Sequence, residues 1–187
     1  AIKRPHAKIS LKREYENGTR LKALLQNTTI LEHFCIPITM TDDGAIVYPF
    51  LDGRTFEHEK SNVLPILTTL SMVLRILWEH GITHGDITKD NIVILNGIFP
   101  VFVDFDNLEF DQCVSYIAVD IDGYRELVKG QLSLLKQEAK DTLRYIVGRL
   151  DEMYHVHLQK KYFRIWMLSR LMEEIQGYMQ HCISPHT

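Results

Sequence analysis

The chain has 187 residues, 45% of them hydrophobic and 24% charged, which excludes a disordered tail and describes a globular protein able to fold on its own core without disulfides or metal. Its 21 basic and 24 acidic side chains leave a net charge of -3, so gripping nucleic acid or an anionic membrane is not its expected business, and no direct nucleic-acid binding is predicted. No apolar run reaches the ~18 residues of a transmembrane segment. Cys35, Cys113 and Cys182 are too few and too scattered for a disulfide framework or a zinc site, and are expected to be core residues in a reducing compartment. The residues after Ala1 are polar and basic without an apolar signal core, so a cytoplasmic location is expected, although the sequence opens without an initiator Met.

Leu11, Glu14, Gly18, Leu21 and Leu25 recur at spacings of three and four, which predicts a helix with these residues on its inner face. Asn17-Gly18 weakens the helix, since an interior Gly costs about 1 kcal/mol, but Gly18 lies on the inward stripe, where close packing repays it. Residues 36–40 and 45–48 flank Asp42-Asp43-Gly44, a turn signal, and predict a hairpin. Residues 49–53 read as a connector. From about Ser61 the stripe Leu64, Leu67, Leu70, Leu74, Leu77 and Trp78 predicts a helix stopping near Gly81. Residues 92–95 and 98–103, joined by Asn96-Gly97, predict a second hairpin, because that dipeptide tolerates the positive φ of a type I′ turn. From about Val119 the chain reads as helical, including an amphipathic stretch over 162–179. The expected class is α+β: a small β-rich part over 1–51, then a helical part over 52–187.

The chemistry is concentrated in His84-Gly-Asp-Ile-Thr-Lys-Asp-Asn91 and in Val103-Asp-Phe-Asp106. Asp86 and Asn91 are five apart, Asn91 and Asp104 thirteen apart, and a strand pair with its own turn lies between them. This constellation resembles the catalytic and metal-binding loops of the protein-kinase-like fold, H-x-D-x-x-x-x-N followed by D-F-G. The resemblance implies a two-lobed protein-kinase-like fold and an ATP- and Mg²⁺-dependent phosphotransferase. Phosphoryl transfer needs alignment and charge compensation more than covalent help. Magnesium takes oxygen ligands and keeps waters, so Asp104 and the Asn91 amide oxygen, with the phosphates, would suffice as its site. Asp86 is then free to act as general base toward the attacking hydroxyl, with His84 as its packing and hydrogen-bonding support. The bland reading, in which these Asp and Asn residues are turn and cap residues, is preferred for Asp90 and stays open for the others.

By the same resemblance, Ala1-Ile-Lys3 is similar to the strand that carries the nucleotide-anchoring lysine, with Ala1 against adenine and Lys3 on the α- and β-phosphates; a merely solvated lysine is the alternative. The family pairs that lysine with a helix glutamate, and Glu14 is a better partner than Glu16, because it falls on the inward stripe, where a carboxylate needs a cation. Residues 48–53 resemble the hinge that holds adenine through backbone groups, which assigns Tyr48 to its start, an acceptor to Pro49 and a donor to Leu51. Asp120 resembles the aspartate of the family's central helix, which braces the catalytic-loop backbone. Asp104 and Asp120 are only sixteen positions apart, which leaves no room for a long activation segment. Gly85 and Thr88 stand where regulated protein kinases often carry Arg and Lys. These departures point to the compact atypical members: small-molecule and lipopolysaccharide-core kinases, or the small kinase of the KEOPS tRNA-modification complex.

The implied acceptor is a hydroxyl of a glycan or other small molecule, or of a protein. The strands and Gly-rich loop that roof the phosphates in the family do not precede Ala1 in this sequence, so the small lobe is expected to be truncated. That motivates the alternative of a pseudokinase scaffold which binds a protein partner without transferring phosphate. Asp106, in place of the family's Gly, is either a second metal ligand or solvated. His155 and His157, two apart, do not share a helix face, and a metal site there is not expected. The aromatic and basic run over 160–166 is expected to be a packed helix with a charged outer edge.

Overall fold

The structure, a computed structural model, describes residues 1–4, 11–58, 60–110 and 114–183, with side chains described throughout these except at 114–115 and 161–183. The described residues form an α+β fold with four α-helices and eight short strands in three antiparallel sheets. Helix α1 (Lys12–Leu25) buries Glu14, Gly18, Leu21 and Leu25, while Glu16 points outward beside Lys12. Gly18 is required by close approach: a Cβ there would stand 2.5 Å from Pro37 Cδ and 3.3 Å from the Phe105 ring.

Strands β1 (Ile2–Lys3), β2 (Thr39–Met40) and β3 (Ile46–Val47) make the first sheet, in the order β1-β3-β2, with Ile2 and Thr39 both opposite Val47. The expected hairpin is present, with Gly44 at φ +78° in its turn, but its ladder is shorter than predicted. Pro37 has no N–H to donate and packs against Gly18 instead. Strand β4 (Gly53–Thr55) begins inside the expected connector, too short for its alternation to register in the sequence. Helix α2 (Val63–Glu79) buries Leu67, Leu70, Leu74, Leu77 and Trp78 and stops before Gly81 at φ +72°, as the stripe predicts.

Strand β5 (Ile82–Thr83) follows, then β6 (Ile92–Leu95), β7 (Phe99–Phe102) and β8 (Glu109–Phe110). The second sheet has the order β4-β6-β7, and β5 pairs with β8. Asn96 and Gly97 both take positive φ, 51° and 70°, in the second hairpin. The Ile98 N–H closes the turn on the Leu95 carbonyl, yet Leu95 faces Phe99 across the ladder, so Ile98 is an extra, bulged residue. Helix α3 (Val114–Gln131) starts ahead of the expected residue 119, and α4 (Gln137–Ile183) runs through the predicted 162–179 stretch. The side chains of that stretch, of residues 161–166 and of Cys182 lie outside the described residues, as does Cys113; Cys35 is buried. On α4, His155 is exposed and His157 half-buried.

Among the described residues, five of the eight strands follow residue 51, including both strands of the second expected hairpin. Leu21 and Leu25 of α1, Phe34, the inner face of α2, Phe102, Phe105, Tyr124 of α3 and Leu143 and Leu150 of α4 form one continuous apolar core. No described helix is long and apolar enough to cross a membrane.

Candidate active site

The loop after β5 is braced from below by α3. Asp120 is fully buried, and its carboxylate accepts hydrogen bonds from the His84 N–H (3.0 Å), the Gly85 N–H (2.7 Å) and Trp78 Nε1 (2.9 Å). Burial pushes its pKa up to about 6, against the opposing effect of these three donors. Gly85 turns the chain at φ +80°, and a Cβ there would meet the Asn107 carbonyl oxygen at 2.4 Å. Gly123 on α3 is equally constrained, because a Cβ there would lie 2.6 Å from the Ile87 carbonyl oxygen. These close approaches clamp both ends of the Gly85–Ile87 backbone. His84 is fully buried, with its ring 5.0 Å from that of Phe102. Burial lowers its pKa to about 4, so the ring is neutral at pH 7. Both ring nitrogens lack hydrogen-bond partners among the described residues, so its support comes from packing and from its backbone N–H.

Asn91 Nδ2 donates to the Asp86 carboxylate (2.8 Å) and to the Asp86 carbonyl (3.2 Å). Because a carboxylate only accepts, this pairing fixes the amide orientation and makes Asn91 Oδ1 the acceptor end of the amide. The Val103 N–H binds the Asn91 carbonyl (3.0 Å), which brings the end of the loop beside Asp104. Asp104 itself stands at φ +66°, a left-handed conformation that costs a non-glycine residue about 1–2 kcal/mol and turns the chain out of β7 at this point.

Lys3 unites the two halves of the site. Its ammonium lies 2.8 Å from Glu14 Oε2 and 3.2 Å from Asp104 Oδ1. The other Glu14 oxygen accepts a 2.5 Å hydrogen bond from the Tyr48 hydroxyl. Burial alone would lower the Lys3 pKa, but the Glu14 and Asp104 carboxylates outweigh it and the net shift is upward. Burial also raises Asp104, yet its hydrogen bond with Asp106 and the charge on Lys3 hold it below the usual carboxylate range. The matching shift on Asp106 is upward, to about 6, first through the same hydrogen bond and then through burial. Burial and the bond to Glu14 raise the Tyr48 hydroxyl as well.

These groups end in a cavity of about 470 Å³ lined by Lys3, Glu14, Asn91 and Asp104 together with Ala1, Cys35 and residues 48–51. Among the described residues, no backbone group takes up the Pro49 carbonyl or the Leu51 N–H at its edge. The structure thus brings Lys3, Glu14, Tyr48, Pro49, Leu51, Asn91 and Asp104 to one cavity, with Asp86 bonded to its rim and Asp120 and His84 beneath. Glu14 Oε2 and Asp104 Oδ1 are buried and lack hydrogen-bond partners apart from the Lys3 ion pairs. Oxygen atoms of this kind suit a hard cation. Among the described residues no three His, Cys, Asp or Glu side chains converge as a complete metal cage, so a cation here would draw on Asp104, the Asn91 amide oxygen and its own ligand or waters.

Three contributors escape the sequence reading. The Tyr48 side chain, expected to matter only through its backbone, is the second donor to Glu14; the signal was an inward carboxylate with more lone pairs than one lysine satisfies. Asn17 Nδ2 donates to the Phe105 carbonyl (2.7 Å), tying α1 to the turn after Asp104. Cys35 lines the cavity, which no local pattern signals. Neither a model of a known protein family nor a curated protein matches the chain.

Proposed function

We propose that the protein is an ATP- and Mg²⁺-dependent phosphotransferase with a compact, two-lobed protein-kinase-like fold, residues 1–51 forming the small lobe and 52–187 the larger. The observation that carries this reading is the Lys3 ammonium held between Glu14 and Asp104 in the lining of a cavity shared with Asn91 and residues 48–51. Bound Mg²⁺-ATP supplies the phosphoryl group and neutralises the charge that develops on its oxygens. Asp104 and the Asn91 amide oxygen hold the cation, and Lys3, fixed by Glu14, faces the phosphates. The Pro49 carbonyl and the Leu51 N–H read the adenine edge. Asp86, oriented by Asn91, accepts the proton of the attacking hydroxyl, and Asp120 with His84 keeps its loop in place.

The test is a thermal-shift titration with ATP and Mg²⁺, followed by turnover of the Asp104→Ala variant. At 100 times its dissociation constant the nucleotide stabilises the wild type by about 2.7 kcal/mol. Asp104→Ala remains folded and loses magnesium-dependent turnover by more than about a hundredfold. Turnover unchanged in the variant removes the metal site. A wild type that does not respond to Mg²⁺-ATP leaves a kinase-shaped scaffold and no enzyme.

A further inference from the structure

Glu14 is a buried carboxylate whose two oxygens go to different partners. Its Oε1 accepts the Tyr48 hydroxyl at 2.5 Å, and its Oε2 faces the Lys3 ammonium at 2.8 Å. Those partners stand on adjacent strands. Lys3 of β1 lies opposite Ile46 of β3, and Tyr48 follows two residues after Ile46, so Lys3 and Tyr48 are diagonal neighbours on one face of the sheet. Glu14 bridges the two. The Tyr48 backbone is held by its N–H, which donates to the Ala1 carbonyl at 2.7 Å, and the residue lines the cavity that Lys3, Glu14 and Asp104 also line. Burial and the neighbouring Glu14 raise the pKa of its hydroxyl, so it is a neutral donor at pH 7. A phenol has one proton to give, and Glu14 takes it.

We infer that Tyr48 is a positioning residue of the phosphotransferase proposed above: by occupying one oxygen of Glu14, its hydroxyl leaves Lys3 a single carboxylate contact and keeps the ammonium turned toward Asp104 and the phosphates. The inference rests on that reading of the cavity. A buried carboxylate oxygen without a donor is costly, so removing the hydroxyl turns both Glu14 oxygens onto Lys3, the nearest cation. Lys3 stands 3.2 Å from Asp104, and a closer hold by Glu14 draws it away from that end of the cavity. Tyr48 thus acts on the nucleotide through Glu14 and Lys3. Its hydroxyl governs how well the phosphates bind, whereas the base, which meets neither Glu14 nor Lys3 in this reading, is indifferent to it.

The experiment measures the affinities of adenosine and of Mg²⁺-ATP by titration calorimetry on the wild type, Tyr48→Phe, Glu14→Gln and the double variant. Tyr48→Phe keeps the ring and removes the hydroxyl alone. It binds adenosine within about twofold of the wild type but Mg²⁺-ATP at least about tenfold more weakly. Glu14→Gln shows the same split, and adding Tyr48→Phe to it costs no further affinity, because both changes act through one carboxylate. A purely structural tyrosine would lower both affinities together and add its loss to that of Glu14→Gln. Tyr48→Phe binding Mg²⁺-ATP as the wild type does, an equal loss for adenosine and Mg²⁺-ATP, or additive losses in the double variant each overturn the role. If Tyr48→Phe alone has no cooperative thermal transition, the Glu14→Gln background, which strands no buried charge, decides in the same way. A wild type that binds Mg²⁺-ATP beside an unaffected Tyr48→Phe removes only the positioning role; a wild type that binds no nucleotide removes the phosphotransferase reading and this inference with it.

Discussion

Gly85 has no room to change. Its φ of +80° and the Asn107 oxygen 2.4 Å from a hypothetical Cβ both exclude a side chain, so Gly85→Ala should cost about 3 kcal/mol, measured by urea unfolding. The same geometry explains why an arginine cannot stand here without another course for residues 105–108. Asp120 and His84, one beneath the other, titrate with opposite consequences. The folded pKa of Asp120 is raised from 3.8 to about 6, so the folded state binds that proton more tightly and its contribution to stability falls as pH rises between those values. His84 is lowered from 6.5 to about 4, so the unfolded state binds more protons and stability is lost as pH falls through that window. Each effect amounts to at most about 3 kcal/mol. Between pH 4 and 6 they oppose each other. The stability deficit of Asp120→Asn should therefore narrow as pH rises across this range, and that of His84→Phe should widen, both followed by denaturant titration at each pH.

At the scale of elements, α1 is fastened to the segment after Asp104 at four points. Asn17 donates to the Phe105 carbonyl, Gly18 packs against the Phe105 ring, Arg13 pairs with Glu109 at 2.9 Å, and the Arg20 guanidinium lies 4.2 Å from the centre of the Phe110 ring. The surface ion pair contributes little, about 0–1 kcal/mol, whereas the half-buried Asn17 bond is worth about 1 kcal/mol. What these contacts achieve is placement, because Glu14 sits one turn before Gly18 and carries Lys3 with it. Gly18→Ala gains about 1 kcal/mol of helix propensity but must displace Pro37. We expect a net loss of about 1 kcal/mol or more in thermal unfolding, together with weaker Mg²⁺-ATP binding, since a displaced α1 moves Glu14 away from Lys3. Nucleotide affinity equal to that of wild type would separate α1 from the site.

Over the whole molecule, one core serves both parts of the chain. Phe34 lies 5.6 Å from the Phe102 ring and 6.3 Å from that of Phe105, and the Cys35 N–H donates to the Phe102 carbonyl at 2.9 Å. Each large apolar side chain buried in this way contributes about 1.5–3 kcal/mol, so losing Leu21, Leu25 and Phe34 together is comparable to the whole stability of a domain. Residues 52–187 expressed alone should accordingly lack a cooperative thermal transition, as followed by circular dichroism. A sharp transition in that fragment would mean that the two parts fold independently.

Much of this was legible along the chain. The inner face of α1, the stripe of α2 and the turns at Gly44 and at Asn96-Gly97 follow from local periodicity and from backbone sterics, which depend on near neighbours only. The spacing of Asp86, Asn91 and Asp104 marked the candidate site for the same reason, since a short hairpin fixes how far apart its two ends can lie. Strands β4 and β8 were not legible, because two or three residues carry no alternation and become strands only where a distant partner offers its edge. The Tyr48 and Asn17 contacts and the conformational need for Gly85 likewise arise between segments far apart in sequence. Those relations depend on the packing of α1 and α3 against the loops, and only the folded chain brings these surfaces together.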